Sequence, residues 1–178
     1  MLIYASSCPD YRAAHGEAFI KSAEKHGHRV LIDITEGRVE SSLLRFRKLP
    51  EMLDQDVLVL DIDSIINGPI EIPSCDLALF FRPGMPPWRE ELHILAGASF
   101  WTKRAKPFAE SVRDKLTDQW GSDQIALWRT FREMGDRFDI HWLDQDFMSY
   151  DFRDAPIWTA KGDRKSDPIY LERAHAYQ

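Results

Sequence analysis

The run Val57-Leu58-Val59-Leu60-Asp61-Ile62-Asp63 restricts the fold of this chain more than any other stretch of it. Four consecutive apolar residues do not suit a half-solvated strand, which alternates apolar with polar side chains. They predict a central strand over residues 56–60, buried on both faces, and such a strand needs covering layers on both sides of its sheet. The run stops at Asp61. Two carboxylates, Asp61 and Asp63, thus leave the core where an open parallel sheet carries its ligand-binding loops, beyond the carboxyl ends of the strands.

The flanking sequence alternates strand and helix signals in the manner of crossover units. Residues 2–6 read as the first strand. Pro9 and Asp10 open a helix with Tyr11, Ala14, Ala18 and Ala23 near one face, and Gly27 ends it. Residues 29–34 form the second strand. Leu43, Phe46, Leu49 and Leu53 recur at helical spacing over residues 41–53, with Pro50 expected to distort the last turn. Downstream, residues 76–81 and 92–101 read as strands separated by a Pro- and Gly-rich loop at 82–88. Helices are expected over 103–116 and 122–134, short strands over 137–142 and 157–160, and a terminal helix from Pro168. Ser122 is a candidate N-cap and Asp123 suits the helix dipole. The pattern predicts an α/β fold with a mixed, mainly parallel sheet flanked by helices. A chain of 178 residues without repeat or linker predicts one domain over its whole length.

Composition narrows the function. A net charge of -6 argues against nucleic-acid binding led by the phosphate backbone, which needs clustered Lys and Arg. It leaves nucleotides open, since a metal held by carboxylates neutralises a diphosphate locally. Cys8 and Cys75 form no CxxC or Cys/His cluster, so free thiols are expected rather than a disulfide framework or structural zinc. The six histidines lack close ligand spacing, and the six tryptophans are expected mostly in the core, with Trp120 or Trp158 as candidates to line an acceptor site. Polar residues follow directly on the short apolar start, and no apolar run approaches the ~20 residues of a membrane span, which predicts a soluble, cytoplasmic protein.

Asp61 and Asp63 offer oxygen ligands of the kind that Mg²⁺ and Mn²⁺ prefer, and a solvated acidic turn is the plainer alternative. Lys161 and Lys165 supply the positive charge that a diphosphate needs. Together with these, the sequence resembles the GT-A nucleotide-sugar transferases, in particular glycosyltransferase family 8. The resemblance runs through Ser6, Ser7 and Tyr11, a basic helix entering Leu49-Pro50, the Val57 to Asp63 run, Ala96-Gly97, Asp123-Gln124, and Gly162 with Lys165.

The resemblance implies a Rossmann-like GT-A fold and metal-dependent transfer of a sugar from a nucleoside diphosphate sugar, with a UDP-sugar favoured, to an unknown acceptor, with retention. It places Mn²⁺ or Mg²⁺ on Asp61 and Asp63, and the nucleotide on Ser6, Ser7 and Tyr11. Donor contacts fall to Arg45, with Arg47 or Lys48 as substitutes. It puts Ala96 and Gly97 beside the donor sugar, Asp123 on the sugar hydroxyls, Gln124 near the anomeric centre, and Lys161, Gly162 and Lys165 at the diphosphate. The chain departs from the family at Thr159, where a metal-ligating His is usual, and at Ala96, where Asn is usual. Two rival readings remain. One is a phosphatase of the haloacid dehalogenase type with Asp61 as nucleophile and Asp63 as acid/base, although Ile65 fits that signature poorly. The other is a non-catalytic nucleotide-sugar-binding protein of the same fold.

Overall fold

A computed structural model describes residues 1–82 and 84–178; Pro83, in the loop expected at 82–88, lies outside the described residues. The main sheet has six strands in the order β2 (Arg29–Ile34), β1 (Leu2–Ser7), β3 (Val57–Leu60), β6 (Ile94–Trp101), β5 (Leu77–Phe81) and β7 (Ile140–Leu143). β1 pairs in parallel with β2 and β3, and β5 in parallel with β7. β6 runs against both β3 and β5, so the other five strands point the same way. A smaller sheet follows the order β4 (Ser64–Ile66), β9 (Ile157–Thr159) and β8 (Met148–Ser149).

The apolar run at 57–60 behaves as its composition dictates. Val57 and Val59 face a core made with Tyr4, Phe46, Leu49, Trp101 and Phe108, under helices α2 (Arg38–Met52), α3 (Lys106–Asp114) and α4 (Ser122–Met134). Leu58 and Leu60 face the opposite core with Ile3, Ala5, Phe19 and Phe80, beneath α1 (Pro9–Lys25) and the smaller sheet. Burying a Val, Leu or Phe side chain contributes about 1.5–3 kcal/mol, so the two apolar layers fix β3 in the middle of the sheet. A third cluster of Ile65, Ala160, Tyr170 and Ala174 seats the last helix, α5 (Pro168–His175).

Several expectations are corrected. α2 starts at Arg38 rather than at residue 41, because extended Gly37 begins it with a polar turn that carries no apolar period. Its last turn continues through buried Pro50. The helix expected over 103–116 is a 3-10 turn at Lys103–Ala105 followed by α3, which places Pro107 in a first turn, where a missing N–H costs nothing. Ser122 is not the N-cap of α4: left-handed Gly121 holds that position at φ 80°, and the Ser122 hydroxyl accepts the Thr117 N–H at 2.7 Å. β4 and β8, of 3 and 2 residues, are too short to show a period and were not expected. Trp101 is fully buried, but Trp88, Trp120 and Trp142 are 82%, 72% and 39% exposed, contrary to a mostly core placement. No helix among the described residues is long and apolar enough to cross a membrane.

Candidate functional site

The five codirectional strands end at one edge of the sheet, and β6, running the other way, begins there. At this edge lie Ser6 and Ser7 at the end of β1, Asp61 just past β3, Arg82 just past β5, and Ala96 and Gly97 near the start of β6. The Asp61 N–H donates to the Gly97 carbonyl at 3.0 Å, which stitches the end of β3 to β6. A cavity of about 450 Å³ opens at this edge, within the usual size of small-molecule sites.

Thirteen residues that the sequence offered for the site line it: Ser6, Ser7, Tyr11, Arg45, Asp61, Asp63, Ala96, Gly97, Asp123, Gln124, Lys161, Gly162 and Lys165. Residues as far apart in sequence as Ser6 and Lys165 therefore line one cavity. Arg47 and Lys48 do not reach it; Arg47 pairs with Asp118 at the surface and Lys48 with Asp33. The sequence reading missed Arg38, Ser41 and Ser42 on the first turns of α2, and passed over Arg82 as a mere loop boundary. Arg82 carried a usable signal, since it is the first residue after a buried strand at the ligand edge.

Each acid of the cavity has a cationic partner. Arg45 is buried and bridges two acids, with Nη1 2.5 Å from Asp61 Oδ1 and Nη2 3.0 Å from Asp123 Oδ2. Lys161 Nζ donates to the other Asp61 oxygen. Lys165 Nζ lies 2.7 Å from Asp63 Oδ2, and the buried Thr159 hydroxyl donates to Asp63 Oδ1 at 3.0 Å. Burial alone would raise the Asp61 pKa, but Lys161 and Arg45 more than offset it and hold this carboxyl well below the usual carboxylate range. Burial likewise opposes the charge on Arg45, and Asp61 and Asp123 overcome it. Burial lowers and Asp63 raises the pKa of Lys165, with a net rise.

Counting the lining residues, five cations (Arg38, Arg45, Arg82, Lys161, Lys165) face three acids (Asp61, Asp63, Asp123), a net positive cavity in a chain of net charge -6. Such a surplus suits an anionic ligand. Tyr11 meets two of the cations: the Arg38 guanidinium lies 4.4 Å from its ring centre, and Lys165 Nζ lies 4.3 Å from that centre and 3.1 Å from the hydroxyl.

Among the described residues no group of three His, Cys, Asp or Glu gathers to hold a metal. Two carboxylates on one cavity wall nevertheless fit Mg²⁺ or Mn²⁺, which are commonly held by one or two carboxylates while substrate phosphates and water complete the shell. The partners able to yield are Lys161 and Lys165, with side chains 31% and 24% exposed; Arg45, at 8%, is locked between its acids.

Gly97 shows how closely the acids are fitted. A Cβ there would lie 2.2 Å from Asp61 Oδ2 and 2.8 Å from Lys161 Nζ. Gly97→Ala must therefore displace the Asp61–Lys161 pair, and we expect a loss of about 1–3 kcal/mol in denaturant unfolding.

Asp123 and Gln124 are both held by neighbours. Asp123 is 4% exposed, accepts from Arg45, and its Oδ1 accepts the Gln124 N–H at 2.9 Å. Gln124 Oε1 accepts from Arg82 at 2.7 Å.

No protein-family profile matches the chain, and no curated protein matches it in sequence. Among solved structures it is similar to a glycosyltransferase involved in the glycosylation of the major capsid of PBCV-1, with 17% identity, a TM-score of 0.65 and 99% of each chain covered. That likeness is one of fold: the mixed α/β, Rossmann-like architecture of a glycosyltransferase, with a mainly parallel sheet between helices.

Proposed function

We propose that this protein transfers a glycosyl group from a nucleoside diphosphate sugar to an acceptor hydroxyl, as a relative of the family 8 group. The observation that carries the reading is the meeting of Asp61 and Asp63 with Arg45, Lys161 and Lys165 in one net positive cavity at the carboxyl edge of the sheet. The likeness in fold to a glycosyltransferase supports it.

On this reading the nucleoside lies along Ser6, Ser7 and Tyr11, and a UDP-sugar is the favoured donor. Asp61 and Asp63 hold Mn²⁺ or Mg²⁺, which when bound stabilises negative charge on the diphosphate. Lys161 and Lys165 turn from the acids to the phosphate oxygens, where preorganised positive charge lowers the barrier to departure. The acceptor oxygen bonds to the anomeric carbon and the bond from that carbon to the phosphate oxygen breaks. The bonding pair leaves with the diphosphate, which also receives the acceptor proton, and configuration is retained. Ala96 and Gly97 leave room for the donor sugar, with Asp123 and Gln124 beside it.

Thr159 favours a second reading. It is fully buried and spends its hydroxyl on Asp63, so it adds no strong metal ligand, and a protein that binds the donor without turnover would tolerate this. The phosphatase alternative requires Asp61 as an unencumbered nucleophile, whereas buried Arg45, which cannot yield, holds one of its oxygens.

Incubation with a panel of UDP-sugars and Mn²⁺, followed by assay of free UDP, separates the first two readings. Transfer predicts slow release of UDP from at least one donor, accelerated by an acceptor. Donor binding with no release under any acceptor would establish the binding-only protein instead.

A further inference from the structure

The cavity lining also includes Arg82, Leu95, Trp120 and Gln124. Trp120 is the unusual member. It lines the cavity yet is 72% exposed, while Trp101 is buried and Trp128 stacks at 5.7 Å on His93. Among the described residues, its ring meets no aromatic or cationic side chain and its indole N–H no acceptor. An indole with no packing role, standing at the rim of a polar cavity, is a surface that gains burial only when a ligand covers it.

The loop that carries it is nevertheless well anchored. The Thr117 N–H donates to Ser122 Oγ at 2.7 Å, the Ser122 N–H donates to the Gln119 carbonyl at 3.2 Å, and Arg47 pairs with Asp118 at 2.6 Å. Left-handed Gly121, at φ 80°, turns the chain from the indole into α4. Anchoring on both sides fixes the backbone that carries the ring, which limits the ordering cost of binding. The same cavity is lined by Arg82 and Gln124, whose side chains meet at 2.7 Å and offer polar groups to a ligand.

A flat apolar ring flanked by hydrogen-bonding groups matches a pyranose, which has one face of C–H bonds and a rim of hydroxyls. We propose that Trp120 is the platform of the acceptor subsite and that the acceptor is a saccharide, its apolar face on the indole and its hydroxyls toward Arg82 and Gln124. The inference rests on the transferase reading, because it assigns the part of the cavity lined by Trp120 and Gln124 to the second substrate. A peptide or lipid acceptor has no such ring face to offer and is the competing outcome.

The test uses the full chain in the presence of saturating UDP and Mn²⁺, titrated with maltose, cellobiose and lactose and followed by saturation-transfer NMR and intrinsic fluorescence. At least one disaccharide should bind saturably. Trp120→Ala should weaken that binding tenfold or more, Trp120→Phe should recover most of it, and UDP affinity should be the same in all three proteins. Trp88→Ala supplies the control: Trp88 is 82% exposed but does not line the cavity, so its loss should leave saccharide affinity unchanged. The proposal is overturned if wild-type protein that binds UDP takes none of the disaccharides, or if Trp120→Ala binds them as well as wild type does. Should UDP itself fail to bind, the donor reading falls, and the same titration of the free protein decides on Trp120 alone.

Discussion

Replacing Arg45 by Met is expected to destabilise the protein by about 3–5 kcal/mol, the cost of leaving buried charge without its partner. Arg45 is 6% exposed and Asp123 is 4% exposed, so water cannot take over when the guanidinium is removed. Two carboxylates lose their bridge at once, although Asp61 keeps Lys161. For a chain of this length the midpoint of thermal unfolding should fall by on the order of 10 °C. Two companion variants identify the cause. Arg47→Ala, two residues along α2 and paired with the exposed Asp118, should change stability by less than about 1 kcal/mol. Adding Asp123→Asn to Arg45→Met removes one stranded charge and should recover part of the loss. Equal losses in Arg45→Met and Arg47→Ala, by urea unfolding, would show that the bridge is not what holds the end of β3 to α4.

The second large effect is on ligand affinity. Asp63→Asn keeps the size of a buried side chain and removes its charge, which on the proposed reading removes a metal ligand. Affinity for UDP in the presence of Mn²⁺ should drop roughly a hundredfold, equivalent to about 3 kcal/mol. Asp61→Asn should do the same. The fold should persist in Asp63→Asn, because the amide oxygen can meet Lys165 while the amide N–H donates to the Thr159 hydroxyl, and near-ultraviolet circular dichroism checks this. Lys165→Ala separates the roles of acid and base: it leaves both carboxylates in place, so metal binding should survive while UDP affinity declines. Unchanged UDP affinity in Asp61→Asn and Asp63→Asn would take the acids out of the ligand site altogether.

Much of this was legible because burial leaves a strong trace in sequence. The unbroken run from Val57 to Leu60 fixes a strand with two covered faces, and the abrupt change to Asp61 marks the ligand edge. Parallel pairing of β1 with β2 and β3 follows from the helices between them. The antiparallel course of β6 was not legible, since an apolar strand buried on both faces reads alike in either direction. β4 and β8 escaped because two or three residues cannot display a period. The cavity lining was readable as residue types, but its charge pairing was not. Nothing in the sequence ties Arg45 to Asp123, 78 positions later; that contact is made only when α2 and α4 pack side by side. Ser122 misled for a related reason: a Ser at a helix start resembles an N-cap, but the left-handed Gly before it takes that place and frees the hydroxyl for Thr117.

The central claim is that acids at 61 and 63 and cations at 45, 161 and 165 form a single site for a metal-bound diphosphate. Isothermal titration of the folded protein with UDP, with and without Mn²⁺, addresses it most directly. The account predicts one saturable site whose affinity for UDP rises when Mn²⁺ is added. No heat of binding in either condition, from protein shown to be folded, would contradict it.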